Sequence, residues 1–215
     1  MIKVKICGIN APAAFDACVE AAVDWIGFVF YPPSPRSVLP AQAATLSARY
    51  AGGPKRVGLF VEPTEAQIAG TLAAVHLDAL QLYADAARVA ELRARFGVPV
   101  WRAIGVRSPA DLPLTADGGD RLVMEAPAVP GGSRPGGNAR QFDWSMLAGW
   151  PAPLPWLLAG GLSASNVQDA IRVTGATAVD VSSGVETAPG QKDPSLIAAF
   201  VDLARQPAVS AAQTG

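Results

Sequence analysis

A closed (β/α)8 barrel built as one α/β domain is the fold this sequence predicts, on three observations. Short β-rich runs recur eight times, at residues 2–7, 25–30, 56–61, 79–83, 98–104, 121–125, 156–160 and 177–182. Helical patterns separate most of them, and strands that alternate with helices pair in parallel. Eight such units in about 200 residues close a sheet on itself, which is the TIM-barrel solution. An open doubly wound sheet is the competing architecture. It would carry a glycine fingerprint after its first strand, where Cys7-Gly8-Ile9-Asn10 stands in place of G-x-G-x-x-G.

The elements follow in chain order. Helix starts are expected at Asn10, Thr64, Asp85 and Asp193, whose short polar side chains can accept bonds from the free amides of a first turn. Thr64 with Gln67 makes a capping-box pattern, and Asp193 before Pro194 puts proline where its missing N–H costs nothing. Gly97 and Gly175 suit the matching helix stops. The fifth helix should be short or missing, since Ser108 to Gly119 carries two prolines. Pro127 to Asn138 is rich in glycine and proline and reads as a mobile loop. Residues 1–205 should form the barrel and 206–215 a disordered tail, with no repeat visible beyond the strand-helix period.

Composition narrows the function classes. The chain has 215 residues, 50% of them hydrophobic and 16% charged, which suits one sizeable core. The formal net charge is -1 and Lys and Arg are scattered, so no basic stripe points to nucleic acid. No run approaches the roughly 18 to 20 apolar residues that span a bilayer, and a soluble cytoplasmic protein without a membrane partner is expected. Two cysteines, Cys7 and Cys18, cannot make a disulfide framework or a four-cysteine zinc site. The single histidine, His76, reads as surface or cap, so metal and histidine chemistry recede together.

Barrel active sites lie at the C-terminal ends of the strands, and strand parity sorts the residues there. Ile2, Val4 and Ile6 share the face expected to meet the helices, which turns Lys5 and Cys7 toward the barrel axis. The same alternation turns Gln81, Tyr83, Glu125, Asp180 and Ser182 inward, while Leu122, Met124, Val179 and Val181 pack outward. Ionisable groups thus converge on one mouth. Lys5 with Asp180 reads equally well as a structural pair, because buried charge is costly unless paired. Cys7 alone could be a small buried hydrophobe, but it ends a strand. Gly160-Gly161-Leu162 ends strand seven and Ser182-Ser183-Gly184-Val185 ends strand eight. These are the loops where barrels hold phosphate on backbone N–H groups.

Further short sequences add a family resemblance. Lys5-Ile6-Cys7-Gly8, Ser34-Pro35-Arg36, Val57-Gly58-Leu59-Phe60-Val61, Pro135-Gly136-Gly137 and Phe142-Asp143-Trp144 stand in one order. Leu158-Ala159-Gly160-Gly161-Leu162, Asn166-Val167, Asp180 to Glu186 and Gly190-Gln191-Lys192-Asp193 follow them. Over nearly the whole chain this series resembles the phosphoribosylanthranilate isomerase family of tryptophan biosynthesis. The resemblance implies a ribulose-phosphate-binding barrel, monomeric or homodimeric, that needs no cofactor and no metal. It implies an Amadori rearrangement of N-(5-phosphoribosyl)anthranilate to the 1-deoxyribulose 5-phosphate isomer, an internal aldose-to-ketose redox reaction. Cys7 takes the position of the family's general base and Glu125 that of its general acid. Arg36 takes the position that contacts the anthranilate carboxylate, with Lys5, Gln81 and Asp180 also toward substrate. Gly160, Gly161, Ser182, Ser183 and Gly184 take the phosphate.

Four positions depart from the family pattern. Glu125 stands for aspartate, Tyr83-Ala84 for histidine-glycine, Asn10 for threonine and Ala139 for glycine. Glutamate keeps the acid and adds one methylene, a shift on the scale that matters at a catalytic centre. The alternative reading is a sugar-phosphate-binding barrel, retuned or without catalysis, that keeps the glycine loops while its acid position has drifted.

Overall fold

The computed structural model describes residues 1–116, 118–128, 136 and 140–207. Among them, eight parallel strands close a barrel in sequence order: β1 (Lys3–Cys7), β2 (Trp25–Val29), β3 (Lys55–Val61), β4 (Ala79–Tyr83), β5 (Val100–Gly105), β6 (Arg121–Glu125), β7 (Trp156–Leu158) and β8 (Ala178–Val181). The ring closes where β1 pairs with β8, Lys5 opposite Asp180. Each strand's ends fall within two residues of its expected run, with β3 starting one residue early at Lys55 and β5 ending one residue late at Gly105. β7 stops early, because Gly160 and Gly161 take positive φ of 85° and 67° and turn the chain out of the sheet.

The outer helices are α1 (Pro12–Glu20), α2 (Pro40–Ser47), α3 (Glu65–Ala74), α4 (Ala86–Phe96), α5 (Val167–Thr174) and α6 (Pro194–Arg205). As expected, the fifth unit has no α-helix, only a 3-10 turn at Pro109–Asp111. The sixth has another, Trp144–Leu147. Asp85 caps α4 by accepting from Arg88 N at 2.8 Å, and Asp193 caps α6 by accepting from Ser195 N at 2.8 Å. Gly97 and Gly175 end α4 and α5 in the left-handed conformation. The Thr64 box is only half made: Thr64 accepts from Gln67 N at 3.2 Å, but the Gln67 side chain donates to Phe30 O instead. Asn10 caps nothing. Pro12 fixes the first helical φ, Ala11 takes the cap position, and Asn10 Nδ2 donates to Gly190 O at 3.0 Å.

Two layers of core follow from strand parity. Outward residues such as Val4, Ile6, Leu122, Met124, Val179 and Val181 meet the helices. Inward residues fill the lower barrel around Trp25 and Trp101, which meet edge to face at 5.3 Å, with Arg121 over both rings. The sequence shows no repeat, yet the lower rim contains one. Asp24, Asp78 and Asp120 directly precede β2, β4 and β6, and each carboxylate accepts an N–H from the strand before: Val4 at 2.8 Å, Arg56 at 2.7 Å and Val100 at 2.8 Å. His76 is exposed on the surface, as expected. No helix among the described residues is long and apolar enough to cross a membrane.

An unforeseen hairpin follows β8, formed by β9 (Glu186–Ala188) and β10 (Gln191–Lys192). Of the expected Pro127 to Asn138 loop, only Pro127, Ala128 and Gly136 are described; the rest of that segment, Ala139 and the tail from residue 208 lie outside the described residues.

Candidate active site

The strand ends open on a cavity at the C-terminal face of the barrel. Cys7, Gln81, Glu125 and Asp180 line it from β1, β4, β6 and β8, together with Arg36, Gly160, Gly161, Ser182 and Ser183. Nine of the eleven residues expected at the site therefore share one wall. Lys5 and Gly184 do not. Lys5 lies beneath the floor, wholly buried, with Nζ 3.0 Å from Asp180 Oδ2. The structural pairing is realised because a lone buried ammonium would be far more costly. Gly184 sits inside the 3-10 turn Ser183–Val185, packed on the Leu162 carbonyl, so only the turn's leading residues face the cavity.

Cys7 is a free thiol, buried at the end of β1. Burial pushes its pKa up, while the Lys5 ammonium pulls in the other direction. Burial likewise disfavours charge on Lys5, but Asp180 and Cys7 together outweigh it and hold the ammonium above its ordinary range. The neighbour that makes room is Gly27, directly across on β2: a Cβ there would stand 2.9 Å from Cys7 Sγ and 3.3 Å from Lys5 Nζ. Any side chain at this inward position would displace the thiol from its cation.

Glu125 is 5% exposed, and desolvation raises its pKa to about 8, partly opposed by hydrogen bonding with Tyr83 and pushed further up by Asp180. The expected shift above the ordinary glutamate value is present, and burial is its main cause. Tyr83 also lines the cavity and departs from the resembled pattern; its phenol, also pushed well up by burial, stays a donor. Among the described residues, Gln81 Oε1, Glu125 Oε1 and Asp180 Oδ1 are buried acceptors with no hydrogen-bond partner. Three such acceptors around one cavity suit a ligand rich in hydroxyl and N–H groups.

The two loops beside β7 and β8 are braced rather than loose. Asn166 Oδ1 accepts from Ser163 N at 2.8 Å and its Nδ2 donates to Gly161 O at 2.9 Å, fixing the glycine turn. Ser182 Oγ donates to Cys7 O at 3.0 Å, joining the second loop to the end of β1.

Sequence reasoning missed a buried cluster at the rim. Arg36 is 4% exposed, and its Nε and Nη2 donate to Glu186 Oε1 and Oε2 at 2.7 and 2.8 Å. Lys192 Nζ, also buried, donates to Glu186 Oε1 at 2.5 Å and to Ser182 O at 2.9 Å. Glu186 and Lys192 face each other only because β9 and β10 form a hairpin. The signal that could have found it is the turn dipeptide Pro189-Gly190 between them.

Over nearly its whole length the chain is similar to one family of known proteins. The family model of N-(5'-phosphoribosyl)anthranilate (PRA) isomerase matches residues 4–203. The N-(5'-phosphoribosyl)anthranilate isomerase of Acidiphilium cryptum is 50% identical over 208 residues, covering 95% of this chain and 98% of its own. The crystal structure of TrpF from Jonesia denitrificans superposes with a TM-score of 0.81 at 39% identity, covering 95% of this chain and 97% of its own. A phosphoribosyl anthranilate isomerase solved in complex with reduced 1-(o-carboxyphenylamino)-1-deoxyribulose 5-phosphate gives 0.79 at 31% identity, covering 95% and 98%. A match of this extent, on a barrel whose mouth gathers a thiol, a buried carboxyl and two glycine-serine loops, settles the relationship: the chain belongs to the N-(5'-phosphoribosyl)anthranilate isomerase family.

Proposed function

We propose that this chain converts N-(5-phosphoribosyl)anthranilate to 1-(2-carboxyphenylamino)-1-deoxyribulose 5-phosphate, with Glu125 as general acid and Cys7 as general base. The observation that carries the reading is the pair itself: a carboxyl raised to about 8 on β6 and a thiol on β1, facing one cavity. The carboxyl holds its proton at neutral pH and can give it to the ring oxygen as the C1–O bond breaks and the anilino nitrogen forms an iminium. The Cys7 thiolate, steadied by Lys5, then takes the C2 proton. The C2–H electrons become the C1–C2 double bond of an enolamine and return the iminium electrons to nitrogen. Ketonisation places a proton on C1 and leaves a carbonyl at C2, so C1 is reduced and C2 oxidised without an external redox partner.

The remaining contacts complete the substrate. Arg36 supplies the charge that receives the anthranilate carboxylate. Gly160, Gly161, Ser182 and Ser183 supply N–H groups and hydroxyls for the phosphate. Gln81 and Asp180 present acceptors to the ribose hydroxyls, and Lys5 acts from below through Cys7 and Asp180. The test is turnover by the purified chain of freshly generated phosphoribosylanthranilate, followed by loss of its anthranilate-type fluorescence. Rapid enzymatic loss is expected. Binding of substrate without any acceleration over the buffer reaction would reduce the protein to a sugar-phosphate-binding barrel.

A further inference from the structure

The Arg36-Glu186-Lys192 cluster holds three buried charges whose sum is +1, at the rim of the cavity and in direct bonded series. Burial alone would raise the Glu186 carboxyl, but Arg36 and Lys192 outweigh it and hold it below its ordinary value, so the carboxylate stays charged. The same carboxylate accepts from Gly190 N at 3.2 Å, and Asn10 binds Gly190 O, so the hairpin is tied to the loop after β1. Lys192 is tied in turn to Ser182 in the loop after β8. A two-point bond through Nε and Nη2 sets the orientation of the guanidinium plane more tightly than one bond to Glu186 would. A glutamate alone would also cancel the charge it orients. Lys192 removes that conflict.

We propose that Glu186 and Lys192 are positioning residues for recognition of the substrate carboxylate: Glu186 fixes the plane of Arg36, and Lys192 offsets Glu186 so that the rim keeps one unit of positive charge for an anionic aromatic ring. The inference rests on the reading of Arg36 as the carboxylate contact. It assigns to the hairpin a role in substrate selection distinct from phosphate binding and from the acid-base pair.

The experiment compares two ligands, the reduced product and the same compound lacking its carboxylate. Their ratio of dissociation constants is measured in the parent, Arg36→Met, Glu186→Gln and Lys192→Met, with ribose 5-phosphate affinity and the kcat against KM split alongside. Glu186→Gln raises the local charge to +2, so charge alone would strengthen carboxylate preference; positioning predicts the opposite, a ratio smaller by about tenfold or more. KM should rise, kcat should stay within about threefold, and ribose 5-phosphate affinity should hold. A ratio in Glu186→Gln that equals or exceeds the parent's overturns the proposal. So does an equal loss of affinity for all three ligands, which marks a structural role. Lys192→Met, which keeps the fork and brings the cluster to neutrality, must also lower the ratio. If Glu186→Gln does not fold, this variant decides alone, and a parental ratio in it overturns the proposal. A parent that does not prefer the carboxylated ligand, or an Arg36→Met variant that keeps the preference, removes the reading of Arg36 itself.

Discussion

Glu125 and Cys7 illustrate how burial sets chemistry residue by residue. A glutamate in water is a base at neutral pH; desolvated on β6 at about 8 it remains an acid, while burial also moves the thiol up from its ordinary value. The productive combination, protonated Glu125 with ionised Cys7, is therefore the minor ionisation form of a coupled pair. The dependence of kcat/KM on pH should be a bell whose rising limb lies near 8 and whose falling limb follows the thiol. Glu125→Gln should lower kcat by about 10² or more, the common range for a lost general acid. It should also convert the bell to a single rise through the thiol ionisation, because the group responsible for the limb near 8 is gone. Near-parental kcat with the same profile would move the acid role elsewhere, with Asp180 tested next. Glu125→Asp, which keeps the acid and shortens its reach, should retain measurable turnover.

Elements are held in register by side chains at the opposite end of the barrel. Asp24, Asp78 and Asp120 each tie the entry of one strand to the start of its neighbour, and Asp120 also receives two bonds from Arg93 of α4, at 2.7 and 2.8 Å. Asp24→Ala, Asp78→Ala and Asp120→Ala should each cost about 1 to 3 kcal/mol by stranding a strand N–H. The losses should add, since independent sites do. For a chain of this size, each kcal/mol lowers the melting temperature by about 2 to 4 °C, readable by calorimetry. An unchanged melting temperature in all three variants would mean that solvent replaces the carboxylates without cost. This repeat was hidden in the sequence because an aspartate before a strand is also an ordinary turn residue. The strands themselves were legible as short β-rich runs between helical patterns, and so were the Asp85 and Asp193 caps. Asn10 misled because the Pro12 two residues later decided where α1 begins. Lys5 was legible as inward-facing but not as lying below the cavity floor, since parity gives a direction and not a depth. The Glu186-Lys192 contact needed a hairpin joining residues six apart, which neither strand nor helix periodicity encodes.

The whole molecule divides its labour between the two ends of the barrel. Trp25, Trp101 and the aspartate repeat fill and pin the lower half, while the ionisable groups and glycine loops occupy the mouth. Conservation of shape below and chemistry above should therefore separate in measurement. Trp101→Ala, which opens a cavity in the lower layer, should cost about 3 to 5 kcal/mol of stability and leave kcat/KM within about twofold at temperatures where the variant is folded. A large loss of kcat/KM in the folded variant would show that packing of the lower layer sets the geometry of the mouth. The central claim, that the barrel mouth works as an acid-base isomerase with Cys7 as its base, is tested most directly by single-turnover kinetics of Cys7→Ala on fresh phosphoribosylanthranilate, with the affinity for the reduced product measured on the same preparation. The account predicts a fall in the rate of at least about 10², with affinity within about threefold of the parent. A Cys7→Ala rate within about tenfold of the parent would contradict it.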